Sequence, residues 1–417
     1  MKILILNQTF YPDVVATAHY AAHLGTALAS EGHEVSAIAG IRAYDDPTKR
    51  FAAKEAWQAV NIRRIFTPGL GKASKLRRLV DFATFLLGCA WRLLWTPRHD
   101  VVVSLTSPPL IAFLAALFVR LKGGELLYWV MDLNPDQAIA AGMLQPLALR
   151  TRLLEWMLRY TLSASSRIIV LDRFMKERIC ARGIDPGLIS TIPPWSHDAA
   201  LALDQERRAL FRREHGLEGK FVVMYAGNHS PCHPLDTLIG AAEQLAAHKD
   251  VMFCFVGGGV EHKKIAAYAQ QTHASNVVCL PYPPKERLTD PLFAADLHVV
   301  VMGEPYLGIV HPCKVYNILA LGTPLLYIGP LESHVTDLAA KAQQTEWFYP
   351  AVPGATTQVV DHILRAKQAC RLSVPEEKAV GAAFSRSELL TQVVREVQNL
   401  VPGVPFAGSE KLRAATE

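Results

Sequence analysis

The feature that most constrains the fold of this chain is an alternation of short apolar runs with longer helical ones, and it occurs twice. In the first half, Lys2–Leu6, Glu34–Ala39, Asn61–Phe66, Asp100–Leu105, Leu126–Met131 and Arg167–Leu171 read as strands. Ala16–Glu31, Leu76–Trp95 and Arg150–Ser163 read as helices between them. Strands that are apolar along their length are buried on both faces, the condition of parallel strands covered by helices on each side.

The pattern breaks near Pro193-Pro194-Trp195 and passes through a charged stretch with a helix over Asp204–His215. A fresh series then begins. Phe221–Ala226, Val251–Val256, Val277–Leu280, Leu297–Met302 and Pro324–Ile328 are the strands. Pro234–His248, Glu261–Gln271, Lys285–Ala294 and Val315–Leu321 are the helices. The length of 417 residues fits two domains of this size. The fold class expected is therefore α/β, with two doubly wound Rossmann-like domains facing each other across a cleft. The expected bounds are 1–195, a connection at 196–219, a second domain at 220–401 whose last helix packs back on the first, and a frayed tail at 402–417. Open α/β sheets bind ligands at the carboxyl ends of their strands, so the cleft is where a ligand belongs.

Composition excludes several classes. Half the residues are hydrophobic and 19% are charged, which supports a large core and rules out global disorder. A net charge of +5 over this length is too small for a nucleic-acid protein. Seven cysteines without a CxxC pair fit reduced thiols in a cytoplasmic protein. Leu79–Trp95 contains Asp81 and Arg92, and Pro109–Val119 is only 11 residues long. Neither reaches the roughly 20 apolar residues of a spanning helix.

Three segments carry chemistry. Gly227-Asn228-His229-Ser230 follows one strand and Gly257-Gly258-Gly259 the next. Small-residue turns between strand and helix let backbone N–H groups face an anion such as a diphosphate, or they are ordinary tight turns. Neither matches GxGxxG, which disfavours a dinucleotide-dependent oxidoreductase. In the third segment, His311 and Lys314 stand where a helix opens. A cation there opposes the helix dipole unless an anion binds beside it. His229, Cys232 and His233 lack a fourth ligand at zinc-like spacing, so no metal site is expected.

Eight Lys/Arg residues and one acid lie from Arg63 to Arg98, with Phe66, Phe82, Phe85, Trp91 and Trp95 interleaved. A basic, aromatic-rich helix suits a peripheral contact with a membrane surface, and equally a core helix with basic ends.

Together these motifs resemble those of retaining GT-B glycosyltransferases of the glycosyltransferase-4 type, in particular the subset that assembles bacterial surface polysaccharides such as colanic acid and O antigen. The resemblance runs from Met1 to about Val401. It is carried by Tyr11-Pro12, the helix end Leu28-Ala29-Ser30-Glu31-Gly32-His33-Glu34-Val35, Ser107-Pro108-Pro109 and Asp132-Leu133-Asn134-Pro135-Asp136. In the second half it is carried by Tyr225-Ala226-Gly227-Asn228, Phe255-Val256-Gly257-Gly258-Gly259 and Leu319-Ala320-Leu321-Gly322-Thr323-Pro324.

The resemblance implies a nucleotide-sugar donor, UDP-linked by analogy, in the C-terminal domain and an acceptor in the N-terminal one. That acceptor would be a polyprenyl-diphosphate-linked glycan at the cytoplasmic membrane face. It also implies no metal and no other cofactor, with protein cations and helix dipoles meeting the diphosphate. The chain departs from the general family pattern. Asn228 and His233 stand where many members have Arg and Lys, and Ile309 and Asn317 replace both carboxylates of the E-x7-E pair. Pro312-Cys313-Lys314 matches the polysaccharide subset instead. By that analogy Lys314 is the main phosphate cation, assisted by His311 or His233, Asn317 meets a ribose hydroxyl, and Pro281-Tyr282 contact the base. Asp132 is the expected acceptor-positioning or proton-transfer group, with Asp136 and His19 as further candidates. Two alternatives remain: a nucleotide-sugar 2-epimerase on the same fold, and a non-catalytic sugar-nucleotide-binding subunit.

Overall fold

In the computed structural model, residues 1–13, 15–44, 46–71, 75–195, 203–341, 347–372 and 384–401 are described. The chain divides into two compact units, Met1–His197 with Ser385–Glu417, and Asp198–Phe384. The tail expected at 402–417 lies outside the described residues.

The first unit holds β1 (Lys2–Leu6), α1 (Ala16–Ser30), β2 (Glu34–Gly40), β3 (Lys54–Trp57), β4 (Val60–Ile65), α2 (Lys75–Leu94) and β5 (Val101–Ser104). Then come α3 (Ile111–Lys122), β6 (Glu125–Trp129), α4 (Asp136–Ala140), α5 (Leu149–Ser163), β7 (Arg167–Val170), α6 (Arg173–Cys180) and β8 (Ile189–Thr191). The sheet order is β3-β4-β2-β1-β5-β6-β7-β8, parallel except where β3 runs against β4. β1 lies at the centre because Ile3, Leu4, Ile5 and Leu6 are all buried, so neither face of the strand tolerates water. The apolar run at 109–119 forms α3, whose Ile111, Ala115, Ala116 and Phe118 join the core with Phe85, Cys89 and Leu93 of α2.

The second unit holds α7 (Gln205–Glu214), β9 (Phe221–Asn228), α8 (Asp236–Gln244), β10 (Val251–Gly258), α9 (Val260–Thr272), β11 (Val277–Leu280) and α10 (Asp290–Ala294). β12 (Leu297–Val301), α11 (Lys314–Leu321), β13 (Leu325–Ile328), α12 (His334–Lys341), β14 (Phe348–Ala351) and α13 (Thr356–Leu372) complete it. Its sheet runs β11-β10-β9-β12-β13-β14, parallel throughout. The chain steps outward from β9 to β11 on one side, then returns to lay β12 against β9 and build the other side. That reversal between β9 and β12 is a topological switch point, where a crevice opens at the strand ends.

Two features depart most from the sequence reading. The helix expected over Lys285–Ala294 is a short 3-10 turn at Lys285–Arg287 followed by α10. Pro291 has no N–H to give the Arg287 carbonyl and its ring would crowd that carbonyl, so the helix restarts at Asp290 with the proline in its first turn. The charged helix expected in the connection is α7, and it packs within the second unit. Arg208 and Arg212 both pair with Asp296 there, Arg212 at 2.6 Å. The last helix, α14 (Arg386–Gln398), belongs to the first unit. Glu396 pairs with Arg167 at 3.0 Å and accepts from Ser190 at 2.6 Å, and Gln398 lies 3.0 Å from His33.

Candidate functional site

The switch point of the second unit holds a lysine under electrostatic tension. Lys314 is the first residue of α11, where the helix's own N–H dipoles are positive. Its Nζ is buried, has no hydrogen-bond partner among the described residues, and sits 3.5 Å from the centre of the Tyr225 ring. Burial pulls the ammonium from its usual range down to about 7. An ammonium has three donors, and the tyrosine face offsets only part of their lost hydration. An anion placed against Nζ would satisfy it.

The groups around Lys314 are neutral. His233 lies against Val301, with Nδ1 2.6 Å from its carbonyl, and burial followed by the nearby Lys314 charge lowers it to about 3. His229 is fully buried, with Nδ1 2.8 Å from the Gly227 carbonyl, and the same two causes lower it to about 3. If Nδ1–H donates to that carbonyl, Nε2 is left as an acceptor, and it is buried with no partner. Such an atom suits a sugar or ribose hydroxyl rather than a phosphate oxygen. The cationic character of this site therefore rests on Lys314.

The glycines divide by role. A Cβ on Gly227, whose φ is +120°, would lie 3.5 Å from Lys314 Nζ, so this glycine borders the ammonium. A Cβ on Gly257 would stand 2.1 Å from the Gly227 carbonyl oxygen, and one on Gly259 2.4 Å from that of His229. The strands thus run two residues further than the sequence suggests, and these two glycines let the end of β10 pack directly against the end of β9 and the residue after it. Gly258 faces the Tyr282 ring, 3.4 Å from where its Cβ would be. Tyr282 is half-exposed and Pro281 exposed, so a flat ligand has access to that edge. Asn228 is exposed, and its carbonyl accepts from the Tyr225 hydroxyl at 3.1 Å.

The remaining residues of the second unit separate. Asn317 follows Lys314 by three positions, on the same side of α11 and half-buried. His311 is buried, 2.8 Å from the Tyr316 hydroxyl, and stacked on His334 with ring centres 3.9 Å apart. That stack engages the His311 ring within the α11–α12 packing.

In the first unit, Asp132 follows β6 and lines a cavity of about 150 Å³ whose other lining is largely apolar. Burial raises its carboxyl to about 6. Asp136 opens α4 and pairs with Arg182. His19 lies on α1, half-buried, its ring 6.2 Å from that of His23. Sequence reasoning missed Tyr225, because a tyrosine inside an apolar strand carries no signal that its ring supports a lysine almost ninety residues away.

α2 is apolar on two sides. Phe85, Cys89 and Leu93 point into the core, yet Leu76, Leu79, Leu87, Trp91, Leu94 and Trp95 are exposed. No described helix is long and apolar enough to cross a membrane.

Comparison with known proteins adds to this geometry. Residues 16–195 match the family model described as a glycosyl transferase 4-like domain. The chain is 24% identical over 342 residues to the putative colanic acid biosynthesis glycosyl transferase WcaI of Escherichia coli strain K12, covering 77% of this chain and 82% of that one. Among solved structures, sucrose-phosphate synthase from Thermosynechococcus elongatus aligns with a TM-score of 0.70 at 15% identity, covering 96% of this chain and 99% of that one. Anabaena HepE in complex with UDP-glucose aligns with a TM-score of 0.61 at 15% identity, over 96% and 98%. The structural likenesses show a two-domain GT-B fold, and the sequence likenesses support a glycosyltransferase.

Proposed function

We propose that the protein is a glycosyltransferase of bacterial surface polysaccharide assembly. It takes a sugar from a nucleoside diphosphate donor at the β9/β12 switch point and passes it to a lipid-linked glycan bound by the first unit. The observation that carries this reading is Lys314, a buried ammonium without a hydrogen-bond partner among the described residues, beside Gly227 at the end of β9. The likeness to a relative named for colanic acid biosynthesis supports the product class, and the fold shared with a UDP-glucose complex supports a UDP-linked hexose.

In this reading the leaving diphosphate gains charge as the glycosidic bond breaks. Lys314 and the amino end of α11 stabilise that charge where it develops, so no divalent metal is needed. His229 Nε2 accepts from a donor hydroxyl, Tyr282 packs on the base and Asn317 meets the ribose. The acceptor hydroxyl attacks from the leaving-group side and configuration is retained. Asp132, shifted to about 6, is ionised at neutral pH and positions the hydroxyl or takes its proton. Asp136, tied to Arg182, holds the Asp132 loop, and His19 borders the acceptor. The exposed α2 face, with its arginines, keeps the enzyme at the inner membrane surface.

The test is incubation with labelled nucleotide sugars, with and without a polyprenyl-diphosphate-linked glycan, in buffer containing EDTA. Transfer only in the presence of acceptor, with the anomeric configuration of the donor kept in the product, is the expected result. An isomerised donor without acceptor would make the protein an epimerase, and tight binding without turnover a binding subunit.

A further inference from the structure

The cavity beside Asp132 has a wall that is mostly hydrocarbon. Leu105, Pro109, Phe113, Leu154, Met157 and Leu158 contribute to its walls, and among the described residues no Lys, Arg or His lines it. At about 150 Å³ it has the volume of cavities that admit benzene. Thr106, Tyr128, Asp132, Asn134 and Thr161 give it a polar side, and the rest of the wall is hydrocarbon, against which a hydroxyl-rich sugar would lose hydration without regaining hydrogen bonds.

Its rim is held in an unusual backbone state. Leu110 lines the cavity with φ at +76°, a region that bulky residues rarely enter. A strained residue persists only where its surroundings over-determine it, and such positions gather at ligand sites.

The flanking helix is amphiphilic in a matching way. Leu154, Met157, Leu158 and Thr161 of α5 fall on one stripe and face the cavity. Arg150 continues that stripe one turn earlier and is exposed. Beside it Leu149 (83% exposed), Leu153 and Trp156 form a second exposed stripe, and Leu147 and Met143 are exposed just before the helix. Trp156 meets the cavity wall at Phe113, ring centres 5.9 Å apart. A hydrocarbon pocket next to an exposed arginine and an exposed apolar edge is complementary to a chain that ends in phosphate.

We propose that this cavity binds the prenyl unit nearest the diphosphate of the lipid-linked acceptor, with Arg150 on the phosphate side. This rests on the acceptor class in the proposed function and adds to it a subsite on the first unit. A prenyl chain in the cavity also keeps water from Asp132, so the group that orients the acceptor is drier when the lipid tail is seated.

The experiment uses the full chain with 13C-methyl methionine and follows the Met157 resonance, assigned through Met157→Leu. Geraniol should shift it saturably. Ala138→Trp, which fills the cavity from α4, and Leu154→Trp, which fills it from α5, should each abolish the shift. Either variant should raise KM for a prenyl-linked acceptor by about tenfold or more. A Met157 signal that ignores geraniol in the folded wild-type protein overturns the proposal. So does an equal shift with phosphatidylglycerol vesicles lacking any prenyl lipid, which would assign the cavity to bilayer acyl chains. If Met157 responds to geraniol but no donor and acceptor give transfer, the proposed function falls and the chain subsite stands. If transfer proceeds and Met157 is silent, the subsite alone falls.

Discussion

The β9/β12 switch point of the second unit and the cavity of the first each centre on an ionisable side chain that burial has pushed toward neutrality. Lys314 comes down to about 7 and Asp132 goes up to about 6, and in both the leading cause is lost hydration. The surroundings then part company. Lys314 lies among glycine turns, neutral histidines and an aromatic face, a place short of one negative charge. Asp132 lines a cavity whose wall is mostly hydrocarbon, the place proposed above for a prenyl unit. The same physics thus prepares one site for an anion and the other for an apolar chain beside a reacting hydroxyl.

The widest separation between them should appear in turnover. Lys314→Met removes the only cation bordering Gly227 among the described residues, and transfer should fall by about 10³. Asp132→Asn keeps the shape and loses the base, and transfer should fall by about 10². Initial rates at saturating acceptor measure both. Near-wild-type turnover in Lys314→Met would remove the basis of the donor site.

A middle-sized effect concerns the exposed apolar surface that the first unit carries and the second largely lacks. Trp91→Ser with Trp95→Ser should lower binding to anionic vesicles by about tenfold, as two interfacial aromatics are lost. Donor affinity should be unchanged. Vesicle sedimentation and donor titration on the same variant measure the two quantities.

Smaller, but more diagnostic, are the opposite pH signatures in stability. The folded pKa of Lys314 is below its ordinary value of 10.5, so between about 7 and 10.5 the unfolded state binds more protons. Stability therefore rises with pH across that window, and Lys314→Met should raise Tm by a few degrees near pH 7 and by little near pH 10.5. The folded pKa of Asp132 is above its ordinary value of 3.8, so between about 4 and 6 the folded state binds more protons. Stability there falls as pH rises, so Asp132→Asn should raise Tm at pH 7 and not at pH 4. Tm gains that follow the same pH trend in both variants would defeat the comparison.

The smallest effect is a fraction of a proton. If a diphosphate restores the ammonium of Lys314, binding of UDP-glucose should take up protons at pH 8 and hardly any at pH 6. Calorimetry in buffers of different ionisation heat reads this directly.

Much of the fold was legible because its cause is local. Runs such as Ile3–Leu6 and Phe221–Tyr225 are apolar on both faces, which marks a parallel strand wherever the chain later places it. The break before α10 was in the sequence too, since Pro291 cannot bond to the carbonyl four residues earlier, but helical periodicity around it outweighed that one position. The site was legible in part. The dipole argument at residue 314 needs only that a helix begins there. Whether its ammonium has a partner depends on Tyr225 and Gly227, which reach it through strand order.

The amino-acid sequence alone therefore determined two doubly wound domains, glycines where β9 and β10 end, and a lysine at the amino end of a helix. Pattern and propensity act within about ten residues, and those features are set within that range. Tertiary structure decided which glycines face the ammonium and which merely let turns pack. It also decided that His311 stacks on His334, and that Asp132 lines a hydrocarbon cavity. Each of these depends on which distant surfaces exclude water from a given atom, and hydration is lost only when the chain has closed around it.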